Sequence, residues 1–146
     1  MASDALALEI ERLNDRVNEV LAILKPDRNQ RALYVSLTEV EAGMEREIRG
    51  LELRHKLFPP VVHHQPAWEL LLIAYRHRSQ RKPISVSGLC QSIHAPGTTA
   101  LRHLEALEAE GFLEREKDPN DGRRYWIVLS DKARRLMVRY FTELLS

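Results

Sequence analysis

The chain has 146 residues, with 22 basic and 21 acidic side chains and a formal net charge of +1. Apolar residues make up 44% and charged residues 29%, which excludes a disordered chain and leaves room for one modest core, not an enzyme with a separate cofactor domain. So even a charge balance also stands against a nucleic-acid binder, whose usual footprint is basic.

The first predicted element is a helix with a heptad seam. Leu6, Ile10, Leu13, Val17, Val20 and Leu24 are spaced alternately by four and three. Ser3 suits its N-cap, and Pro26 ends the run. Ile10 and Val17 share one seam position, a choice that favours two strands in a parallel coiled coil. The seam spans only about 27 Å, so self-association needs help from a folded domain, and packing on its own chain is the alternative. This assigns residues 1–25 to a dimerisation helix and 26–35 to a linker.

A connecting helix is assigned to the segment 36–65, with Pro59-Pro60 ending its run. Ser36-Leu37-Thr38-Glu39 has the form of a capping box, and Leu37, Val40, Met44, Ile48 and Leu51 mark one apolar face. Residues 66–146 follow as a domain of short elements. Pro66 opens a helix with Trp68, Leu71, Leu72 and Tyr75 on its buried face. Pro83-Ile84-Ser85 is extended, and Val86, Leu89, Cys90 and Ile93 form a short helix. After the turn at His94-Ala95-Pro96-Gly97 comes a helix with Leu101, Leu104 and Leu107 inward, stopped by Gly111. Two strands, Phe112 to Glu116 and Arg124 to Leu129, flank a turn at Asp118-Pro119-Asn120-Asp121-Gly122. Ser130 caps a last helix with Ala133, Met137, Tyr140 and Leu144 on one face.

Helix, turn, helix and charged hairpin form the order of a winged helix-turn-helix, so the expected fold class is mainly α with a small β-hairpin wing and long N-terminal helices. No acidic residue lies between Glu69 and Glu105, while Arg76, Arg78, Arg81, Lys82 and Arg102 do. Such a gap is what phosphate neutralisation requires. Thr99, Arg102, His103 and Ala106 share a face away from the leucines. Thr98 and Thr99 stand at the helix N-terminus, where they either cap it or meet phosphates and base edges. Arg102 has the fork to read guanine, or is a solvated charge. His103 is either a DNA contact or an ordinary exposed histidine. Arg123 and Arg124, just past the hairpin tip, either reach a minor groove or are the solvated charges of a soluble hairpin. Asp121 is expected to support the wing by holding an arginine side chain.

The segments SVSGLCQSI, PGTTALRHLEALEAEGFLERE and DPNDGRRYWIVLSDKARRLM resemble the MarR-type winged helix-turn-helix transcription regulators. The likeness is to a bacterial subgroup whose lead-in carries Phe-Pro and Pro-Ala-Trp, here Phe58-Pro59 and Pro66-Ala67-Trp68, and it covers roughly residues 45–146. It implies a homodimer on double-stranded DNA, with a recognition helix in each major groove and a wing at each minor groove. By position it implies Thr98, Thr99, Arg102 and His103 as helix contacts and Arg123 as the wing contact. The family commonly dimerises through long N- and C-terminal helices. Only about 15 residues follow Ser130, so the heptad is expected to take over part of that role.

Other function classes are weakly supported. There is no glycine-rich phosphate loop and no nucleophile elbow. His63-His64 lacks the spacing and neighbours of a metal site. With one cysteine, no intrachain disulfide and no CxxC site can form, and Cys90 reads as a buried small hydrophobe. No enzyme activity, cofactor or metal is expected. A small-molecule effector would find room near Trp68 and Tyr75, residues that also suit a core. The opening residues lack signal-peptide form, and no apolar run reaches the ~18 residues of a membrane span, so a cytoplasmic location is expected. The competing reading is a winged-helix protein-interaction module whose N-terminal helix recruits a partner. It would show an apolar patch where a DNA reader exposes Arg102 and Arg123.

Charge by segment resolves the apparent objection to nucleic acid. Residues 1–60 carry 9 basic and 11 acidic groups, whereas residues 61–146 carry 13 and 10. Residues 70–104 are purely basic. The even total conceals a polarised module joined to an acidic helical arm.

Overall fold

The computed structural model describes residues 2–24 and 35–146. Pro26 and positions 26–34 of the expected linker lie outside the described residues. The chain divides into two units, 1–44 and 45–146. In the first, helix α1 spans Ala2–Leu24, so Ser3 falls inside the helix, not ahead of it. The six seam residues are between 52% and 69% exposed.

Helix α2, Leu37–Leu57, crosses the boundary between the units. Its start is the capping box. The Glu39 carboxylate accepts from the Ser36 N–H and hydroxyl, each at 2.8 Å, and the Glu39 N–H donates to Ser36 Oγ at 3.2 Å. Within the expected 36–65 segment α2 stops at Leu57, just ahead of Pro59-Pro60 as the sequence predicts, and a 3-10 helix then covers Pro60–His63. The apolar face through Leu37, Val40, Met44, Ile48 and Leu51 is exposed, and the buried side is Gly50, Leu53 and Arg54. The reason is close approach. A Cβ on Gly50 would lie 2.8 Å from the Tyr140 hydroxyl, so the helix meets the core through its smallest residue.

The second unit holds the core. Helix α3 spans Gln65–Ser79, strand β1 Ile84–Ser85, α4 Val86–Gln91, α5 Gly97–Ala109, β2 Leu113–Lys117, β3 Tyr125–Leu129 and α6 Asp131–Leu145. The expected hairpin is a three-stranded antiparallel sheet in the order β1-β3-β2, with Ile84 opposite Ile127 and Leu113 opposite Leu129. Phe58 is the hub where the elements meet. Its ring centre lies 5.5 Å from Trp68 and 6.2 Å from both Phe112 and Tyr140. Leu70, Leu71, Leu89, Leu104, Leu107, Leu129 and Met137 are wholly or almost wholly buried around it. Ser130 caps α6 by accepting from the Ala133 N–H at 3.1 Å.

Two helices in this unit end in the same way, with different residues at the critical position. After α5, Gly111 has φ 73°, its N–H donates to the Glu108 carbonyl, and the Phe112 N–H donates to the Leu107 carbonyl. After α3, the same pair of bonds runs from Arg81 to Arg78 and from Lys82 to His77, but the residue at φ 54° is Arg81. A side chain in the left-handed region costs about 1–2 kcal/mol, partly offset by the backbone entropy glycine loses on folding. Arg81→Gly is therefore expected to raise the stability by about 0.5–1 kcal/mol in urea unfolding. A lower midpoint would contradict this.

Candidate nucleic-acid interface

The helix-turn-helix is built from α3, α4 and α5. Ser85 caps α4 by accepting from the Gly88 N–H at 3.1 Å. The turn that leads to α5 is tied back to α3 by Glu69, whose Oε2 accepts from the His94 N–H at 2.8 Å and lies 3.3 Å from His94 Nδ1. The backbone hydrogen bond holds the Glu69 carboxyl below the usual carboxylate range. This acid at the edge of the basic stretch is thus a brace for the turn.

Helix α5 is rotated from its expected setting. Ala100, Leu104 and Leu107 are fully buried, while Leu101 is 38% exposed. Positions 100, 104 and 107 make an i, i+4, i+7 set, and Leu101 stands about a quarter turn away from it. The exposed stripe is Thr98, Leu101, Arg102 and Glu105, at i, i+3, i+4 and i+7. Thr99, His103 and Ala106 are half-buried on the flank. Neither threonine caps the helix: Pro96 is the N-cap, with no side-chain cap bond.

His103 faces His64, with ring centres 5.5 Å apart. Burial, then the charges of His64 and Arg102, hold its pKa below the ordinary histidine value. The unfolded chain therefore binds the proton more tightly, and stability falls as pH drops through the ordinary value toward the lower folded one. Thermal unfolding should shift to lower temperature between about pH 7.5 and about pH 5.5, and His103→Gln should flatten that shift. An equal slope in the variant would contradict this assignment.

The wing is held by its aspartates. Asp118 is 9% exposed. Its Oδ1 accepts from the Asn120 and Asp121 N–H groups at 2.8 and 3.3 Å, and its own N–H donates to the Arg124 carbonyl. The Asp121 carboxylate accepts from the backbone N–H of Arg123 at 3.0 Å. Support from Asp121 thus runs through the main chain, not through an arginine side chain. Asp118 is the brace that the sequence reading missed, although its place before Pro119 was the available signal. Arg123 and Arg124 are exposed, and the Arg124 guanidinium lies 5.4 Å from the Trp126 ring centre.

Between the wing, α4 and the start of α5 lies a groove of about 550 Å³, lined in part by Val86, Leu101, Tyr125, Arg115, Arg123 and Arg124. Arg115 is committed to Glu108 through bonds of 2.6 and 3.1 Å. Arg78 is also committed, to the Leu129 carbonyl and to Asp131. Arg102, Arg123 and Arg124 enter no ion pair among the described residues. Cys90 borders the groove but is buried, and burial pushes its thiol pKa up.

A separate cavity of about 260 Å³ is lined by Arg54, Trp68, Leu72 and Tyr140, among others, and not by Tyr75. Arg54 Nε is buried there and finds no hydrogen-bond partner among the described residues. Among the described residues no cluster of His, Cys, Asp and Glu is arranged to hold a metal, and no helix is long and apolar enough to cross a membrane.

Comparison with known proteins places this architecture. The sequence model of the MarR family matches residues 64–125. A relative in Bacillus subtilis (strain 168), the uncharacterized HTH-type transcriptional regulator YwhA, is 43% identical over 65 residues. That match covers 44% of this chain and 44% of the relative, so the likeness spans less than half of each. The S. aureus MepR–DNA complex superposes with a TM-score of 0.58 at 20% identity, covering 75% of this chain and 83% of MepR. Regulator Tm0710 of Thermotoga maritima gives 0.53 at 21% identity, covering 71% and 68%. At that identity the two structures establish a winged helix-turn-helix fold, and residues 64–125 of this chain are similar in sequence to the MarR family.

Proposed function

We propose that the chain is a homodimeric, sequence-specific DNA-binding transcriptional regulator of the cytoplasm. Helix α5 enters the major groove, led by Thr98 and Arg102, with Thr99 and His103 at its flank. Arg123 and Arg124 on the wing reach the adjacent minor groove, and Asp121 and Asp118 fix the turn that presents them. The observation that carries this reading is a groove beside the wing lined by Arg123 and Arg124, with Arg102 exposed on the outward stripe of α5, all three without an ion pair among the described residues, next to a stretch, 70–104, that holds no acid. The activity is binding, with no reaction and no cofactor.

Two apolar stripes serve self-association in this reading: the α1 seam of Leu6, Ile10, Leu13, Val17, Val20 and Leu24, and the exposed face of α2. The interaction-module alternative is less favoured, because the α5 and wing surface exposes Arg102, Arg123 and Arg124. The cavity at Arg54 is the place for an effector. An anion there would pair with the Arg54 guanidinium, which lies 5.5 Å from the Trp68 ring centre.

Affinity for fragments of genomic DNA, measured across a salt series, tests the proposal. Each neutralised phosphate adds about −0.9 to the slope of log K against log salt, so a steep negative slope is expected. The Arg123→Ala, Arg124→Ala variant should flatten it by about two. Binding indifferent to salt would sink the reading.

A further inference from the structure

Leu101 is a large apolar side chain on the stripe that faces away from the core. Its neighbours there, Thr98, Arg102 and Glu105, are polar. Burial is served by Ala100 and Leu104 instead, so the fold does not need a leucine at 101. A helical side chain leans toward the N-terminal end of its helix. At 101 that is the end bearing Gly97 and Thr98, which enters a groove first. Leu101 also shares the groove beside the wing with Val86 and with Tyr125, itself 41% exposed. These three supply apolar surface to a groove that Arg123, Arg124 and Asp121 also line.

The exposed Arg123 and Arg124 select an anionic polymer, and the apolar side chains beside them ask for an apolar group on that polymer. In the major groove of duplex DNA the one apolar group on the base edges is the C5-methyl of thymine. We propose that Leu101 is a specificity-determining residue that reads a thymine methyl beside the base contacted by Arg102. This rests on the DNA-binding reading above and names part of the sequence that the site prefers.

The test starts from a site selected by the full chain from random duplex DNA. Each thymine is then replaced singly by deoxyuridine, which deletes only the methyl. Removing one buried methyl should weaken wild-type binding about fivefold at one thymine per half-site. Leu101→Ala should bind the intact site more weakly and lose sensitivity at that thymine. Leu101→Met, which keeps an apolar reach, should retain most of it. Because Leu101 lies outside the core, thermal unfolding of both variants should match the parent. Wild-type indifference to every deoxyuridine would overturn the inference and leave DNA binding standing. So would Leu101→Ala that remains sensitive at the same thymine. Failure to select any site would remove the DNA-binding reading and this inference together.

Discussion

The double variant Leu13→Asp, Val17→Asp is expected to be monomeric at micromolar concentration and to bind its operator about 100-fold more weakly. Both side chains sit in the middle of the α1 seam and are more than half exposed, at 55% and 54%. Neither contributes to the core of the winged-helix unit, whose unfolding should be unchanged. In a paired seam each aspartate would bury a charge against its counterpart, and two short helices have little surplus to absorb that. The loss of DNA affinity follows from valency. When two linked domains bind two half-sites, the second contact is intramolecular, and separation removes that gain. Mass in solution and operator titration read the two effects separately. An unchanged dimer mass would move the interface to the exposed face of α2, where Val40, Met44, Ile48 and Leu51 form the next apolar stripe.

Arg102→Ala is expected to lose about 1–3 kcal/mol of binding per half-site and to relax the preference at one base pair. Arg102 is exposed on the outward stripe of α5 and enters no ion pair among the described residues. A bidentate contact to guanine uses the flat guanidinium fork, which lysine lacks. Arg102→Lys should therefore keep most of the non-specific affinity while losing most of the discrimination. If Arg102 instead meets a phosphate, both variants will leave the preferred sequence intact, and alanine alone will lower the salt slope by about one.

Local signals in the sequence were read correctly where one residue type has one mechanical use. The Ser36–Glu39 box, the Ser130 cap, Pro66 at the start of α3 and Gly111 at positive φ all behave as their chemistry dictates. The winged-helix order was legible for the same reason, since each element is bounded by such a signal. Rotations were not legible. Leu101 and Leu104 look alike in sequence, and only the packing of α5 through Ala100 decides which of them points inward. The α2 face failed similarly. Its leucines and valine mark an apolar stripe, but contact with α6 is made at Gly50, which no hydropathy pattern selects. Partner choices across the fold were hidden too. Arg78 counts as a basic residue in the acid-free stretch, yet its guanidinium is bound to Leu129 and Asp131, 51 and 53 positions away. In the wing, Asp118 and Asp121 are both turn formers, and the fold assigns the buried one to hold the loop.

These features support one central claim, that the basic groove between α5 and the wing reads a specific DNA sequence as half of a dimer. Selection from a random duplex pool with the full chain, repeated at low and high salt, measures that claim most directly. The account predicts enrichment of an inverted repeat whose half-site centres lie about one helical turn, ~34–36 Å, or a multiple of it apart. The enrichment should sharpen at the higher salt as non-specific binding falls away. A pool that keeps its random composition at both salts, or yields a single unrepeated half-site, would contradict it.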